Sequence, residues 1–378
     1  MRAVVVGAGL GGLASAVALA RQGWEVTVLE RRPEPAEAGA GIAVWPNALR
    51  ALDGLGLGEQ VRAAGTVEIG GGIRTASGRW LSRLDAADLR RRQGDGVVLL
   101  PRPELHAMLR AAAPPVTTGA GVVRVEPGDA TAPAVVHDDT GRAREADLVV
   151  AADGLRSTVR GASWPSVTPR ATGTTAFRLT AAHELTEGGE SWGRGDLVGL
   201  APLPGGRTYL WAEVPTSEAP TDPADPALAW LRRRLAGWHA PIPAVLDAAD
   251  APVLVHRLEE LRPPRRWHHG RIALLGDAAH GMAPNLGQGA AQAFLDAVAL
   301  AEEATADPSS LAAYDRRRRP VAEAVARRSR RAGEVAGWRS PLAVAVRNAL
   351  VAAVPASAAA AGLDRLLGTP LRTEEPVR

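Results

Sequence analysis

Apolar residues in this chain fall into short runs, and most of those runs end at a glycine or a carboxylate. Ala3–Val6 is a short β-branched run of the kind that makes a strand buried on both faces. Leu13–Ala20 continues at helical spacing until Gly23 stops it, and Glu25–Glu30 reads as a second strand. Residues 31–72 read as loop and helix, with Pro46-Asn47 starting a helix through Leu52. Polarity rises over 73–98, where Arg90-Arg91-Arg92 fits a solvated face. Pro101-Arg102-Pro103-Glu104 then caps a helix over Leu105–Ala112. Val122–Val125 and Ala134–His137 have the look of a meander. Asp147–Ala151 predicts a third core strand that ends in Ala152-Asp153-Gly154.

Beyond 171 the pattern changes to alternation. Thr174–Leu179, Leu197–Ala201 and Thr208–Val214, separated by turns such as Pro204-Gly205-Gly206, predict an antiparallel sheet inserted into the first domain. Ala227–Leu235 is a helix. The core pattern resumes at Ile272–Leu275, and Gly276-Asp277 again stops a strand with a carboxylate. A proline-containing loop over Gly281–Leu286 leads to a helix running from Gly287-Gln288-Gly289 to about Glu303. Arg316–Arg331 predicts an Arg-rich helix. Leu342–Val354 predicts an apolar one that packs on the body or on a partner subunit.

Chemistry concentrates at the strand ends. Gly7, Gly9 and Gly12 form G-x-G-x-x-G between a strand and a helix, with Leu10 and Gly11 inside the turn. Glu30, followed by Arg31, stands at the end of the second strand. That context makes the motif a dinucleotide site: glycines admit a pyrophosphate, the helix N-terminus offsets its charge, and the acid accepts from a ribose hydroxyl. An acid there also disfavours a 2′-phosphate, so the adenosine of FAD or NAD fits better than that of NADP. The later strand–loop–helix at 272–303 aims another helix N-terminus at the loop before it, an arrangement suited to the anionic edge of a flavin. Asp153-Gly154 and Gly276-Asp277 lie where open α/β sheets bind ligands, although simple turn chemistry also explains such pairs.

Composition narrows the picture. The 378 residues, 46% of them hydrophobic, suffice for two domains. The absence of cysteine excludes disulfides, iron–sulfur clusters and thiolate nucleophiles. Adjacent His268 and His269 point apart on an extended segment, so no metal site is expected. All 44 basic residues are arginine, and their runs lack interleaved aromatics, which argues against nucleic acid. No stretch has the ~18 uninterrupted apolar residues of a membrane span. The glycine fingerprint begins too early to leave room for a signal peptide, so the expectation is a cytoplasmic protein without stable membrane insertion, monomeric or homodimeric.

The three motifs in this order resemble the class A FAD-dependent aromatic monooxygenases with the p-hydroxybenzoate hydroxylase fold. The phrases GAGIAVWPNALRAL, ESWGRG, APLPGGRTYLW and GRIALLGDAAHGMAPNLGQG are most similar to the salicylate and urate hydroxylase branch. The resemblance implies an α/β fold. Its discontinuous Rossmann-type (GR2-like) FAD-binding domain covers 1–72, 99–170 and 263–330. An antiparallel-sheet substrate domain covers 73–98 and 171–262, and a C-terminal helical segment covers 331–378. It implies that Gly7, Gly9, Leu10, Gly11, Gly12, Glu30, Arg31, Arg102, Val122, Asp153, Gly154 and Asp277 hold FAD. Pro284, Leu286, Gly287, Gln288 and Gly289 would border the isoalloxazine. NADH or NADPH would reduce the flavin, and O2 would form a C4a-hydroperoxide that hydroxylates or epoxidises an aromatic or polycyclic small molecule. Arg178, Tyr209, His280 and Pro284 are the catalytic candidates, His280 with a purely structural contact as its other reading. A flavin-bound reductase or non-redox cyclase is the alternative. Two departures stand out: Asn285 replaces an acid, and Leu197 replaces a substrate-binding arginine, of urate-type members. Both point away from urate and toward a neutral or more apolar substrate.

Overall fold

The computed structural model describes residues 1–34, 40–67, 70–220, 226–306 and 311–368. Its centre is a six-stranded sheet in the order His268–His269, Ile272–Leu274, Leu148–Ala151, Arg2–Val6, Glu25–Glu30, Val116–Thr118. Every pairing is parallel except that of His268–His269 with its neighbour. Arg2–Val6 lies in the middle, flanked on both sides, which is why its run is apolar without alternation. Helices Leu10–Arg21 and Gly289–Ala306 pack together within the core that also holds this sheet. Gly12 permits the approach of the first helix: a Cβ there would stand 1.9 Å from the carbonyl oxygen of Gly7.

The second sheet has seven strands, ordered Leu254–Leu261, Pro169–Ala181, Arg207–Pro215, Leu197–Leu203, Gly189–Trp192, Gly71–Thr75, Trp80–Leu84. Segments 71–84 and 169–261 thus share one sheet although residues 85–168 separate them along the chain. Period-two alternation divides its faces. Phe177, Leu179, Val198, Leu200, Leu210 and Ala212 pack on helices Ala227–Leu235 and Ile242–Asp247. The opposite, inner face carries Arg178, Gly199, Tyr209, Trp211 and Glu213 in adjacent register. Two three-stranded sheets complete the molecule, one of strands 122–126, 134–138 and 143–146, the other of 42–44, 66–67 and 98–100.

Several elements depart from the sequence reading. Ile42–Val44, expected within loop and helix, pairs with Val98–Leu100. Three residues are too few to show a period, and the partner is remote. Leu254–Leu261 forms a full strand despite four charged or imidazole side chains, because it is an edge. The Arg-rich helix extends over Ala312–Ala336 with Pro320 inside it. The apolar helix spans Pro341–Ala352, with Arg347 buried against the body while Leu342 and Leu350 stay exposed. Among the described residues no single helix is long and apolar enough to cross a membrane.

Candidate active site

The first glycine turn, the end of strand Glu25–Glu30 and the Asp153-Gly154 turn meet around a cleft of about 220 Å³. Gly7, Gly9, Glu30, Arg31, Val122, Asp153 and Gly154 line it, as the sequence motifs lead one to expect. Gly7 adopts φ +101°, and a Cβ there would collide with the Ala152 carbonyl at 2.6 Å. Glu30 is bonded on both oxygens within the turn. Its Oε2 accepts from Ala8 N–H (2.9 Å) and its Oε1 from Arg32 N–H (2.9 Å), so the carboxylate also fixes the turn. His106 donates from Nε2 to the Ala8 carbonyl (2.8 Å) and lines the same cleft. Sequence reasoning missed His106, Gly121, Arg156 and Thr158, since a lone histidine inside a helix and scattered loop residues carry no motif. Leu10 and Gly12 turn into the core, and Gly11 faces Leu275 and Ala293, so these three shape the turn from behind.

Asp153 is held from one side only. Its Oδ2 accepts from Thr158 N–H (2.7 Å) and Val159 N–H (3.2 Å), while Oδ1 is buried without a partner. Burial raises its pKa against the pull of those bonds and of Ser157. Asp277 opens the short helix Asp277–His280, exposed, directly after Gly276 at φ +60°. Arg160 ties the two carboxylate turns together. Fully buried, its guanidinium donates to the carbonyls of Leu155 (2.5 Å), Ala278 (3.1 Å) and Val167 (3.3 Å).

The loop after that helix is braced rather than loose. Gly287 N–H donates to the Pro284 carbonyl (2.8 Å), with Gly287 at φ +60°, and Ser329 Oγ donates to the Ala283 carbonyl (2.6 Å). Gln288 accepts from Asn47 Nδ2 (2.9 Å), whereas its own Nε2 is buried and unpartnered. Gly289 starts the long helix, and Leu286 is half-buried. Trp45 Nε1 is likewise buried and unpartnered, and a Cβ on Gly287 would approach it to 2.9 Å. Of nine such orphaned side-chain atoms among the described residues, four belong to Trp45, Asp153, Asn285 and Gln288. Buried polar atoms are rarely left unpaired. Asp153 lines the glycine-turn cleft, and Trp45 and Gln288 flank Gly287, so these free polar atoms suit a hydrogen-bonding ligand such as FAD.

His280 takes the structural role. It is fully buried, and its Nε2 lies 2.6 Å from Asp296 Oδ2, while Arg318 Nε donates to Asp296 Oδ1 (2.7 Å). Burial works against the Asp296 charge, but His280 and Arg318 hold its carboxyl below the usual range. This network fixes the strand end to two helices and leaves His280 no surface to offer a ligand.

Over the crevice stands the inner face of the seven-stranded sheet. A Cβ on Gly41 would strike the Tyr209 ring at 2.7 Å, so Tyr209 reaches the half of the chain that carries the glycine turn. Arg102, at the start of helix Arg102–Ala112, is close enough to act electrostatically on Tyr209, and Arg178 bonds to its hydroxyl. Burial pushes the phenol pKa up, and Arg178 opposes this. The helix Ala312–Ala336 joins crevice and sheet. Gly333 abuts the Asn285 amide, and Val335 and Ala336 pack with Trp192, Leu197 and Trp211.

A parallel sheet with a glycine turn, the strand-end carboxylates Glu30 and Asp153 on one cleft, and a second, antiparallel sheet reaching that half of the chain fit a flavoenzyme. The chain belongs to the FAD binding domain family, matched over residues 1–188 and 209–329, within the class A FAD-dependent aromatic monooxygenases. It is 34% identical to the aurachin C monooxygenase/isomerase of Stigmatella aurantiaca, covering 92% of this chain and 93% of that protein. It is 32% identical to the 2-heptyl-3-hydroxy-4(1H)-quinolone synthase of Pseudomonas aeruginosa, over 94% of each. Klebsiella pneumoniae HpxO, solved with FAD and uric acid, superposes with a TM-score of 0.87 at 26% identity, covering 97% of this chain and 96% of that one. The protein is an FAD-dependent monooxygenase of aromatic or heterocyclic substrates.

Proposed function

We propose that the protein uses NADH or NADPH and O2 to hydroxylate or epoxidise a neutral aromatic or polycyclic metabolite in the cytoplasm, as a monomer or homodimer. The observation that carries this reading is the glycine-turn cleft lined by Glu30 and Asp153, with Tyr209 of the second sheet reaching the same half of the chain. When bound and reduced, FAD would supply the electrons that activate O2, one oxygen atom going to the substrate and the other leaving as water. This chain's residues do the rest. Gly7, Gly9, Glu30 and Arg31 bind the ADP half, Asp153 takes a hydroxyl on its free oxygen, and Arg102 and Asp277 hold the ribityl and phosphate region. Trp45 and Gln288 offer N–H donors, and Pro284 with Leu286–Gly289 borders the ring. Arg178 orients Tyr209, whose hydroxyl donates to or accepts from the substrate, and the packed sheet face excludes water.

Leu197, the register partner of Glu213, and Asn285, beside Gly333, are neutral where urate-type members carry a cation and an acid, which takes away two partners of an anionic purine. The quinolone and aurachin relatives therefore guide the substrate class better than the urate enzyme does. The test is a screen of NADH and NADPH oxidation by the yellow holoenzyme against phenols and quinolones, with O2 uptake and H2O2 both measured. Substrate-stimulated O2 uptake with little H2O2 is expected. Oxidation of substrate without O2 consumption would overturn the reading.

A further inference from the structure

On the inner face of the sheet, two carboxyl groups lie where an apolar enzyme pocket would be expected to have none. Glu213 is 8% exposed, sits beside Ala176 and Leu197 on the neighbouring strands, and receives no hydrogen bond among the described residues. Its oxygens nevertheless are not sealed away, since they are absent from the buried orphaned atoms. Glu190 is different: Trp192 Nε1 donates to its Oε2 (3.0 Å), and Trp211 also bonds to it. The Trp211 ring reaches Glu190 by lying across Gly199, where a Cβ would come within 2.0 Å of the indole. Glu190 is therefore satisfied by the protein. Glu213 is not.

The charges around Glu213 can be counted. Glu190 faces it from strand Gly189–Trp192 and Arg178 from strand Pro169–Ala181. His256, on the edge strand, pairs in register with Ala176, the direct neighbour of Glu213. The covering helices present Val335, Ala336 and Val351, and the guanidinium of Arg347 is spent on the carbonyls of Ala336 and Gly193. Burial and Glu190 push the Glu213 carboxyl up to about 7, against Arg178. A largely buried carboxyl whose oxygens remain reachable can accept from a ligand's donor in place of water. Along the strand Glu213 is four residues from Tyr209 on the same face, about 13 Å at the ordinary strand rise. Trp211 lies between them as a flat apolar wall.

We propose that Glu213 is the recognition residue for a hydrogen-bond donor of the substrate, a ring N–H, on a neutral heteroaromatic ligand lying along Trp211. Glu190, held by its two indoles, is a positioning residue that fixes Trp211. This deepens the monooxygenase reading and rests on it. It explains why an acid replaces nothing cationic here: a neutral donor is selected, and a carboxylate-bearing ligand is repelled.

The test uses FAD-loaded enzyme titrated with 2-heptyl-3-hydroxy-4(1H)-quinolone and with its N-methylated analogue, followed by flavin absorbance and tryptophan quenching. Wild type should bind the N–H compound about tenfold more tightly, the loss expected for one hydrogen bond to a charged acceptor. Glu213→Leu should abolish that preference. Glu213→Gln, which keeps an acceptor oxygen, should retain most of it and controls for folding. An unchanged preference in Glu213→Leu overturns the inference while leaving the monooxygenase reading intact. Equal or absent binding of both compounds by wild type also overturns it, and O2 uptake with other substrates then judges the broader reading separately.

Discussion

At the residue scale, function and stability pull on the same carboxyl group. Glu213 is lifted from its ordinary 4.5 to about 7. Below the ordinary value both folded and unfolded chains hold the proton, and between the two values the folded chain alone holds it. Above 7 the folded protein must carry the buried charge. Stability is therefore lost as pH rises from about 4.5 through 7. The full shift corresponds to on the order of 3 kcal/mol. Glu213→Gln should accordingly raise Tm relative to wild type by roughly 3–6 °C at pH 8.5 and by much less at pH 5.5. Parallel melting curves at constant ionic strength check this, and an equal offset at both pH values would remove Glu213 as the cause. Asp277→Ala and Arg102→Ala should each weaken FAD retention roughly tenfold, the effect of one lost charged contact. Flavin-to-protein ratio after desalting measures it.

At the scale of elements, the strand-end turns matter more than the strands. Arg160 illustrates this. It joins the Asp153-Gly154 turn to the Gly276-Asp277 helix through the Leu155 and Ala278 carbonyls. Arg160→Met should leave three buried acceptors unpaired, cost about 2–4 kcal/mol, and lower FAD occupancy with it. A lowered Tm in calorimetry together with reduced 450 nm absorbance is expected, and full flavin content would separate the two turns. Arg160 was visible in the sequence only as a charge beyond a motif, because the acceptor that links the two turns, the Ala278 carbonyl, lies 118 residues away. The glycine turn, Glu30, the two carboxylate turns and the helix from Gly289 were legible, since each joins local spacing to a strand end. The strand Ile42–Val44, the edge strand Leu254–Leu261 and the burial of His280 were not. They depend on partners far along the chain, and a histidine hydrogen-bonded to Asp296 looks in sequence like any histidine near a loop.

At the scale of the molecule, one helix and the segment after it close the structure. Ala312–Ala336 touches the core through Tyr314 and Arg318, the ring loop through Ser329, and the sheet through Ala336. Arg347 then holds the next helix to both, donating to the Ala336 (2.6 Å) and Gly193 (2.9 Å) carbonyls. Arg347→Ala should free the C-terminal helices without unfolding the parallel sheet. Limited proteolysis should cleave after residue 339 several-fold faster while FAD stays bound. Loss of FAD at the same rate would mean the segment is integral to the cofactor half.

The bare backbone at Gly199 has a consequence for how this pocket diversifies. Because the Trp211 indole occupies the space any larger residue would need there, the two positions are epistatic. A lineage enlarging residue 199 first passes through a displaced indole and a stranded Glu190 carboxylate. One that first trims Trp211 also takes one indole from Glu190, but Trp192 stays on that carboxyl and no clash arises at residue 199. New specificities should therefore arise in a fixed mutational order, with the aromatic position changing before the glycine.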